Sequence, residues 1–96
     1  MKNQFGEKVR ALREKQNLFL RQVASILEMD TAQLSKIEKG FRQLKREQIP
    51  VIAEVLNANQ NELLTLWLAD QLMDVIKDEP LADEVLKSVS KNLKNK

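Results

Sequence analysis

The stretch LRQVASILEMDTAQLSKIEKG, residues 20–40, contains two short apolar repeats with helical spacing on either side of Met29-Asp30. The first repeat predicts a helix over residues 20–28, and its apolar positions are Leu20, Val23, Ala24 and Leu27. Asp30 is a good N-cap for a second helix, in which Thr31, Leu34 and Ile37 continue the spacing until Gly40. The stretch therefore predicts two short helices joined by a tight turn.

Helical spacing also marks the segments on both sides of this stretch. A first helix is predicted over residues 4–16 from Phe5, Val9 and Leu12, and Asn17 suits the left-handed backbone just past a helix end. Pro50 is tolerated only near a helix start, so a fourth helix should begin at about residues 45–47. It carries Ile49, Ile52, Ala53 and Leu56, and Asn57 ends it.

The C-terminal third predicts two more helices. Asn59 followed by Glu62 is a capping-box-like start for a fifth helix, which is expected to run to Glu79, just before Pro80. A last amphipathic helix follows. We therefore expect an all-α fold: a compact five-helix domain with an extended fifth helix and an extra C-terminal helix.

The composition argues against several classes of protein. The 96 residues include no Cys and no His, which removes thiolate metal sites, the commonest zinc ligand and the commonest general base. A Gly-rich phosphate loop is also absent, so we expect no enzyme, no cofactor and no metal site. No segment offers about 18 uninterrupted apolar residues, so we expect no membrane-spanning helix.

Positive charge is concentrated in the first half of the chain. Residues 1–46 contain eleven basic and five acidic residues, a net charge of +6, whereas residues 47–79 carry a net charge of −6. The last 17 residues add +2. The N-terminal half is therefore a candidate partner for a polyanion such as DNA.

The outer face of the helix after Asp30 has the chemistry of a DNA-contacting surface. If Leu34 and Ile37 point inward, four residues point outward near the helix start: Thr31, Ala32, Gln33 and Lys36. Gln33 can pair with an adenine edge and Lys36 can donate to guanine O6 and N7, while Thr31 and Ala32 allow close approach. Ala24 is small where the two short helices must meet. These features predict that the helix enters a major groove.

Basic residues surround this face and are expected to contact phosphates, which position a protein without specifying sequence. They are Arg21, Lys39, Arg42, Lys45 and Arg46.

Five stretches, in order, resemble the phage-repressor/Cro type of helix-turn-helix domain, the XRE family. They lie at residues 9–14 (VRALRE), 20–24 (LRQVA), 34–40 (LSKIEKG), 52–57 (IAEVLN) and 59–64 (NQNELL), and the resemblance covers about residues 5–66. It implies a five-helix bundle with a recognition helix over residues 30–39 that binds a palindromic operator, usually as a dimer.

The resemblance also assigns roles to individual residues. It implies base contacts for Thr31, Ala32 and Lys36, and for Gln33 a contact with either a base or a phosphate. Glu38 resembles the structural glutamate of the family, and Arg13 is at the place of its usual arginine partner. The implied function is transcriptional regulation, as a repressor or autoregulator, in the cytoplasm at the nucleoid of a bacterium or phage-infected cell.

Three positions depart from the family pattern. Glu28 stands where the turn commonly has Gly, so a non-Gly residue must form this turn either at some strain or in an altered geometry. Phe19 stands where Ser or Thr commonly caps the second helix, and Leu20 replaces a polar phosphate-contacting residue. We therefore expect Arg21 or Gln22 to make the phosphate contact of this helix start.

Residues 63–76 are apolar on nearly every side of the predicted fifth helix, which exceeds what packing on one small domain requires. The last helix can fold back onto it after Pro80, or a second subunit can cover it, and we expect both together; the fold-back would use Val85, Leu86, Val89 and Leu93. We therefore divide the chain into a DNA-binding domain, residues 1–66, and a dimerisation element, residues 67–96. A two-fold interface would hold the recognition helices about 34 Å apart. The expected interface residues are Leu66, Trp67, Leu72, Met73, Ile76, Leu86, Val89 and Leu93.

Other interpretations remain open at the level of sequence. The chain can be a monomer whose tail enlarges the core. Alternatively, its apolar C-terminal helices bind a different protein, as in antitoxins and antirepressors. RNA binding is less well supported, because aromatic residues for base stacking are scarce.

Overall fold

The computed structural model describes residues 3–95, which form six α-helices, one turn of 3-10 helix and no strand. The all-α prediction is confirmed. The elements are α1 (Gln4–Lys15), α2 (Leu20–Ile26), α3 (Thr31–Glu38), a 3-10 turn (Arg46–Gln48), α4 (Ile49–Val55), α5 (Gln60–Ile76) and α6 (Ala82–Lys94).

Side chains next to the helix starts satisfy the free backbone N–H groups of the first turns. Asp30 accepts the N–H of Gln33 at 2.7 Å, and Asn59 accepts that of Glu62 at 2.9 Å. Both predicted caps are confirmed. Asn3 caps α1 in the same way through the N–H of Gly6.

Several helices end at non-glycine residues in the left-handed conformation. Asn17, Glu28 and Asn57 have φ angles of 58°, 58° and 52°. Because residues 27–28 form the turn, α2 ends at Ile26, two residues earlier than predicted. The fifth helix ends at Ile76 rather than Glu79, since the Glu79 side chain and backbone instead form the connection to α6.

The first five α-helices, α1 through α5, pack around one apolar core. Each of them contributes to its most deeply buried side chains, which are Val9, Val23, Leu34, Ile37, Ile49, Ile52, Leu56 and Leu63. Burying each such side chain stabilises the fold by about 1.5–3 kcal/mol. This core fixes α2 and α3 against α1, so their outer faces form one rigid surface.

α6 projects from this body. Apart from Ala82, every residue of α6 is exposed, and none is buried. The radius of gyration is 15.1 Å, against about 12.5 Å for a compact domain of this length. α6 therefore adds no buried side chain to the core of its own chain, whereas Trp67 and Ile76, earlier in the tail, are covered within it.

The residues predicted at a dimer interface divide into two groups. Ile76 is 8 % exposed, and Leu66 and Trp67 pack against the core, so these three are largely covered within the chain. Ile76 in particular has little surface to offer another chain, which corrects its predicted place. The others remain exposed: Leu72, Met73, Leu86, Val89 and Leu93.

In the range 3–95, no helix combines the length and apolarity needed to cross a membrane.

Candidate nucleic-acid interface

The turn between α2 and α3 holds the two helices in close contact. Ala24 is 1 % exposed, and its carbonyl oxygen accepts the N–H of Met29 at 3.0 Å. Glu28 adopts the left-handed backbone conformation in this turn, which costs a non-Gly residue about 1–2 kcal/mol. A small residue at 24 and a left-handed one at 28 together set the angle at which α3 leaves α2.

α3 presents its N-terminal half to solvent. Leu34 and Ile37 are buried against the core and fix the rotation of the helix. Thr31, Ala32 and Lys36 are consequently exposed, as the helical spacing predicts. Gln33 is half-buried, as is Ser35, which the sequence analysis did not select.

A buried ion pair holds α3 on α1. Arg13 donates to both carboxylate oxygens of Glu38, at 2.8 and 3.1 Å, and to the carbonyl oxygen of Leu18 at 2.9 Å. The hydrogen bond to Glu38 raises the pKa of Arg13 above its ordinary value. Since the two side chains are only 12 % and 5 % exposed, both charges are satisfied inside the protein and are not available to DNA.

The loop after α3 turns sharply at Gly40, whose φ angle is +86°. A Cβ at this position would lie 2.8 Å from the Asn3 side chain, so glycine is required for space as well as for conformation. Leu44 is buried, and its carbonyl oxygen accepts the indole N–H of Trp67 at 2.9 Å. These contacts anchor a loop whose basic residues, Arg42 and Lys45, are exposed.

The start of α2 is built without a conventional cap. The side-chain oxygen of Gln22 accepts the backbone N–H of Phe19 at 2.7 Å, which leaves the amide NH2 group as the part of Gln22 able to donate to a phosphate. The guanidinium of Arg21 lies 4.8 Å from the centroid of the exposed Phe19 ring. This cation–π contact orients a predicted phosphate ligand and gives Phe19 a role that the sequence analysis missed.

Ser35 of α3 and Arg10 of α1 also lie at this surface. Both line a cleft of about 170 Å³ between the start of α2 and the second half of α3, together with Leu20 and Lys39. The place of Arg10 one turn before Arg13 on an exposed helix face could have suggested it from the sequence, and its guanidinium also lies 3.4 Å from the Glu14 carboxylate. The structure thus gathers basic side chains from α1, α2, α3 and the following loop.

Arg46, the remaining residue predicted to contact a DNA phosphate, begins the 3-10 turn and is exposed. Among the residues that the structure describes, no group of acidic side chains could hold a metal ion.

A family model described as a helix-turn-helix domain matches residues 4–66, about two thirds of the chain. The matched region contains the turn, α3 and all of the basic residues discussed above. No significant match was found among curated proteins or solved structures.

Proposed function

We propose that this chain, which belongs to the helix-turn-helix domain family, regulates transcription by inserting α3 into the major groove of DNA. The observation that carries this proposal is which residues of α3 are buried and which are exposed. Its inner residues are buried and its first turn is capped, while Thr31, Ala32 and Lys36 are exposed on the opposite face. This is the surface that a recognition helix requires.

Base recognition is assigned to four residues of α3. The exposed ammonium of Lys36 can donate to guanine O6 and N7, and Gln33 can pair with an adenine edge or donate to a phosphate. Thr31 and Ala32 supply a hydroxyl and a methyl group at the helix start, where close approach to the groove matters most. Their short side chains leave room for the longer ones to reach the bases.

Phosphate contacts are assigned to the ring of exposed polar and basic residues: Arg21, Gln22, Lys39, Arg42, Lys45 and Arg46. They fix the position of α3 and supply the part of the affinity that depends on salt. Because they lie on α2, the end of α3, the following loop and the 3-10 turn, their contacts would surround the recognition helix.

We further propose that the protein acts as a homodimer on a palindromic operator. Residues 1–66 bind a half-site, and residues 67–96 join two copies so that the recognition helices lie about one helical turn apart. The exposed apolar residues of α5 and α6 support this division. By occupying an operator at its own promoter, such a dimer acts as a repressor and autoregulator in the cytoplasm, at the nucleoid.

Selection of binding sites from a random DNA library at near-physiological salt tests the proposal. We expect enrichment of an inverted repeat whose half-sites lie about 10 base pairs apart, centre to centre. Lys36→Ala serves as the matched control, since it should lose enrichment at one position of each half-site. Failure of the folded wild-type protein to enrich any sequence would contradict the proposal.

A second candidate function is binding to a different protein, as antitoxins and antirepressors do. The exposed apolar residues of α5 favour it, because Leu68, Leu72 and Val75 follow one another on a single helix face. This candidate predicts weak, sequence-independent DNA binding and low solubility without the partner protein. The same site selection therefore separates the two functions.

A further inference from the structure

The apolar face of α6 is only partly covered within the described part of the chain. Leu86, Val89 and Leu93 are 37, 45 and 61 % exposed, although they lie on one face of the helix. Together with Ala82 they are spaced by four, three and four residues, the pattern of the a and d positions of a two-helix seam. Exposed apolar stripes of this kind mark surfaces that bind another helix.

We propose that α6 pairs with α6 of a second copy of this chain, in antiparallel orientation about a two-fold axis. This inference rests on the proposed function, since it specifies how the dimer forms. In this register Leu86 packs against Val89 of the partner subunit, and Ala82 packs against Leu93 of the partner subunit. Each layer then occurs twice, as a two-fold interface requires.

The charges of α6 select the antiparallel orientation. Its first turn contains Asp83 and its last turn contains Lys94, and both lie beside the apolar stripe, whereas Glu84 and Lys91 lie on the opposite face of the helix. A parallel pair would bring two acidic first turns together at one end and two basic last turns together at the other. An antiparallel pair places the acidic turn of each copy beside the basic turn of the other and also opposes the two helix dipoles.

One charged pair lies at the edge of the apolar stripe. Asp83 and Lys94 are eleven residues apart, which is about three helical turns, so both lie on the same edge of the stripe. In the antiparallel register, Asp83 faces Lys94 of the partner subunit on both sides of the two-fold axis. The same helix face is thus complementary to itself in both apolar spacing and charge, which points to a second copy rather than a different partner.

Charge reversal tests this arrangement in the intact protein, with dimer dissociation constants measured by sedimentation equilibrium. Asp83→Lys and Lys94→Asp should each weaken the homodimer about three- to tenfold, because each creates two repulsive pairs in place of two attractive ones. In a one-to-one mixture the two variants should form a heterodimer that is tighter than either variant's homodimer, because both charged pairs are again attractive. Lys91→Asp is the control, since Lys91 lies opposite the apolar stripe and its reversal should leave the affinity unchanged.

The mixture removes the main ambiguity of the single variants. Asp83→Lys places a cation in the first turn of α6, which destabilises the helix itself, but the heterodimer contains that same change. Recovery in the mixture therefore reports the contact between subunits. Unchanged affinities of both single variants, or a mixture as weak as its components, would overturn the antiparallel pairing.

The DNA-binding function is measured separately, so that the two proposals can fail independently. If the wild-type protein sediments at its 11.1 kDa monomer mass at micromolar concentrations yet enriches a DNA site, the pairing is overturned and DNA recognition stands. If the charge reversals act as expected and no DNA site is enriched, the pairing stands and DNA recognition is overturned.

Discussion

The carboxylate of Asp70, in the middle of α5, accepts the backbone N–H of Phe5 at 2.9 Å in the first turn of α1. Its other oxygen accepts the N–H of Gln4 at 3.2 Å. A residue 65 positions away thus satisfies two free donors of α1 and places a negative charge at the positive end of the helix dipole. This contact fastens the extended fifth helix to the body that carries α3.

We expect Asp70→Ala to lower the free energy of unfolding by about 0.5–2 kcal/mol, because two N–H groups lose their acceptor. Urea denaturation measures the loss. Asp74→Ala is the control: Asp74 is exposed and its carboxylate lies 3.9 Å from the Lys77 ammonium, so its removal should cost no more than about 0.5 kcal/mol. Equal losses for the two variants would contradict the cap.

Removal of one partner of the Arg13–Glu38 pair should be more damaging. Glu38→Ala leaves the Arg13 guanidinium buried without its carboxylate, and we expect a loss of about 3–5 kcal/mol. Replacing both residues, as in Arg13→Met with Glu38→Leu, should cost less than the Glu38→Ala change alone. A double variant less stable than Glu38→Ala, measured by urea denaturation, would show that the pair is not the source of the loss.

Glu28→Gly should stabilise the protein by about 0.5–1 kcal/mol. Glycine removes the strain of the left-handed conformation, and this gain exceeds the added entropy of the unfolded chain. Glu54→Gly, on the exposed side of α4, should instead destabilise by about 1 kcal/mol, because its backbone is helical. Thermal unfolding measures the melting temperature of both variants. A change of the same sign in the two melting temperatures would contradict the proposed strain at Glu28.

Lys36→Ala should weaken binding to the selected operator by about 1–3 kcal/mol for each subunit and relax the preference at one base pair of each half-site. Binding to random DNA should change much less. Fluorescence anisotropy with both duplexes measures the difference, and an equal loss on the two would exclude a base contact.

Arg46→Ala should weaken binding to operator and random DNA alike and lower the slope of log K against log salt by about one phosphate contact for each subunit of the dimer. Lys91→Ala, on α6 and away from the proposed interface, should leave both quantities unchanged. A salt slope identical to that of the wild-type protein would remove Arg46 from the DNA-contacting surface.

Much of the fold follows from local patterns in the sequence. The caps at Asp30 and Asn59, the left-handed residue at Asn17 and the outward position of Lys36 each depend on neighbours within four residues, so the amino-acid sequence alone predicts them. The predicted helix ends were less accurate. The residues after α2 and α5 form backbone hydrogen bonds within turns instead of continuing the helix. The spacing of apolar residues does not distinguish a turn from one more turn of helix.

The longer-range features required the tertiary structure. The apolar character of residues 63–76 predicts that α5 packs against other parts of a protein, but the sequence pattern does not predict which residue each side chain contacts. Only the tertiary structure shows that Ile76 is buried, that Trp67 packs against the core and bonds to the loop, that Asp70 caps α1, and that α6 contributes no buried side chain. Helical periodicity is a property of neighbouring residues, whereas these contacts depend on how separate helices pack, and that is decided by the whole core at once.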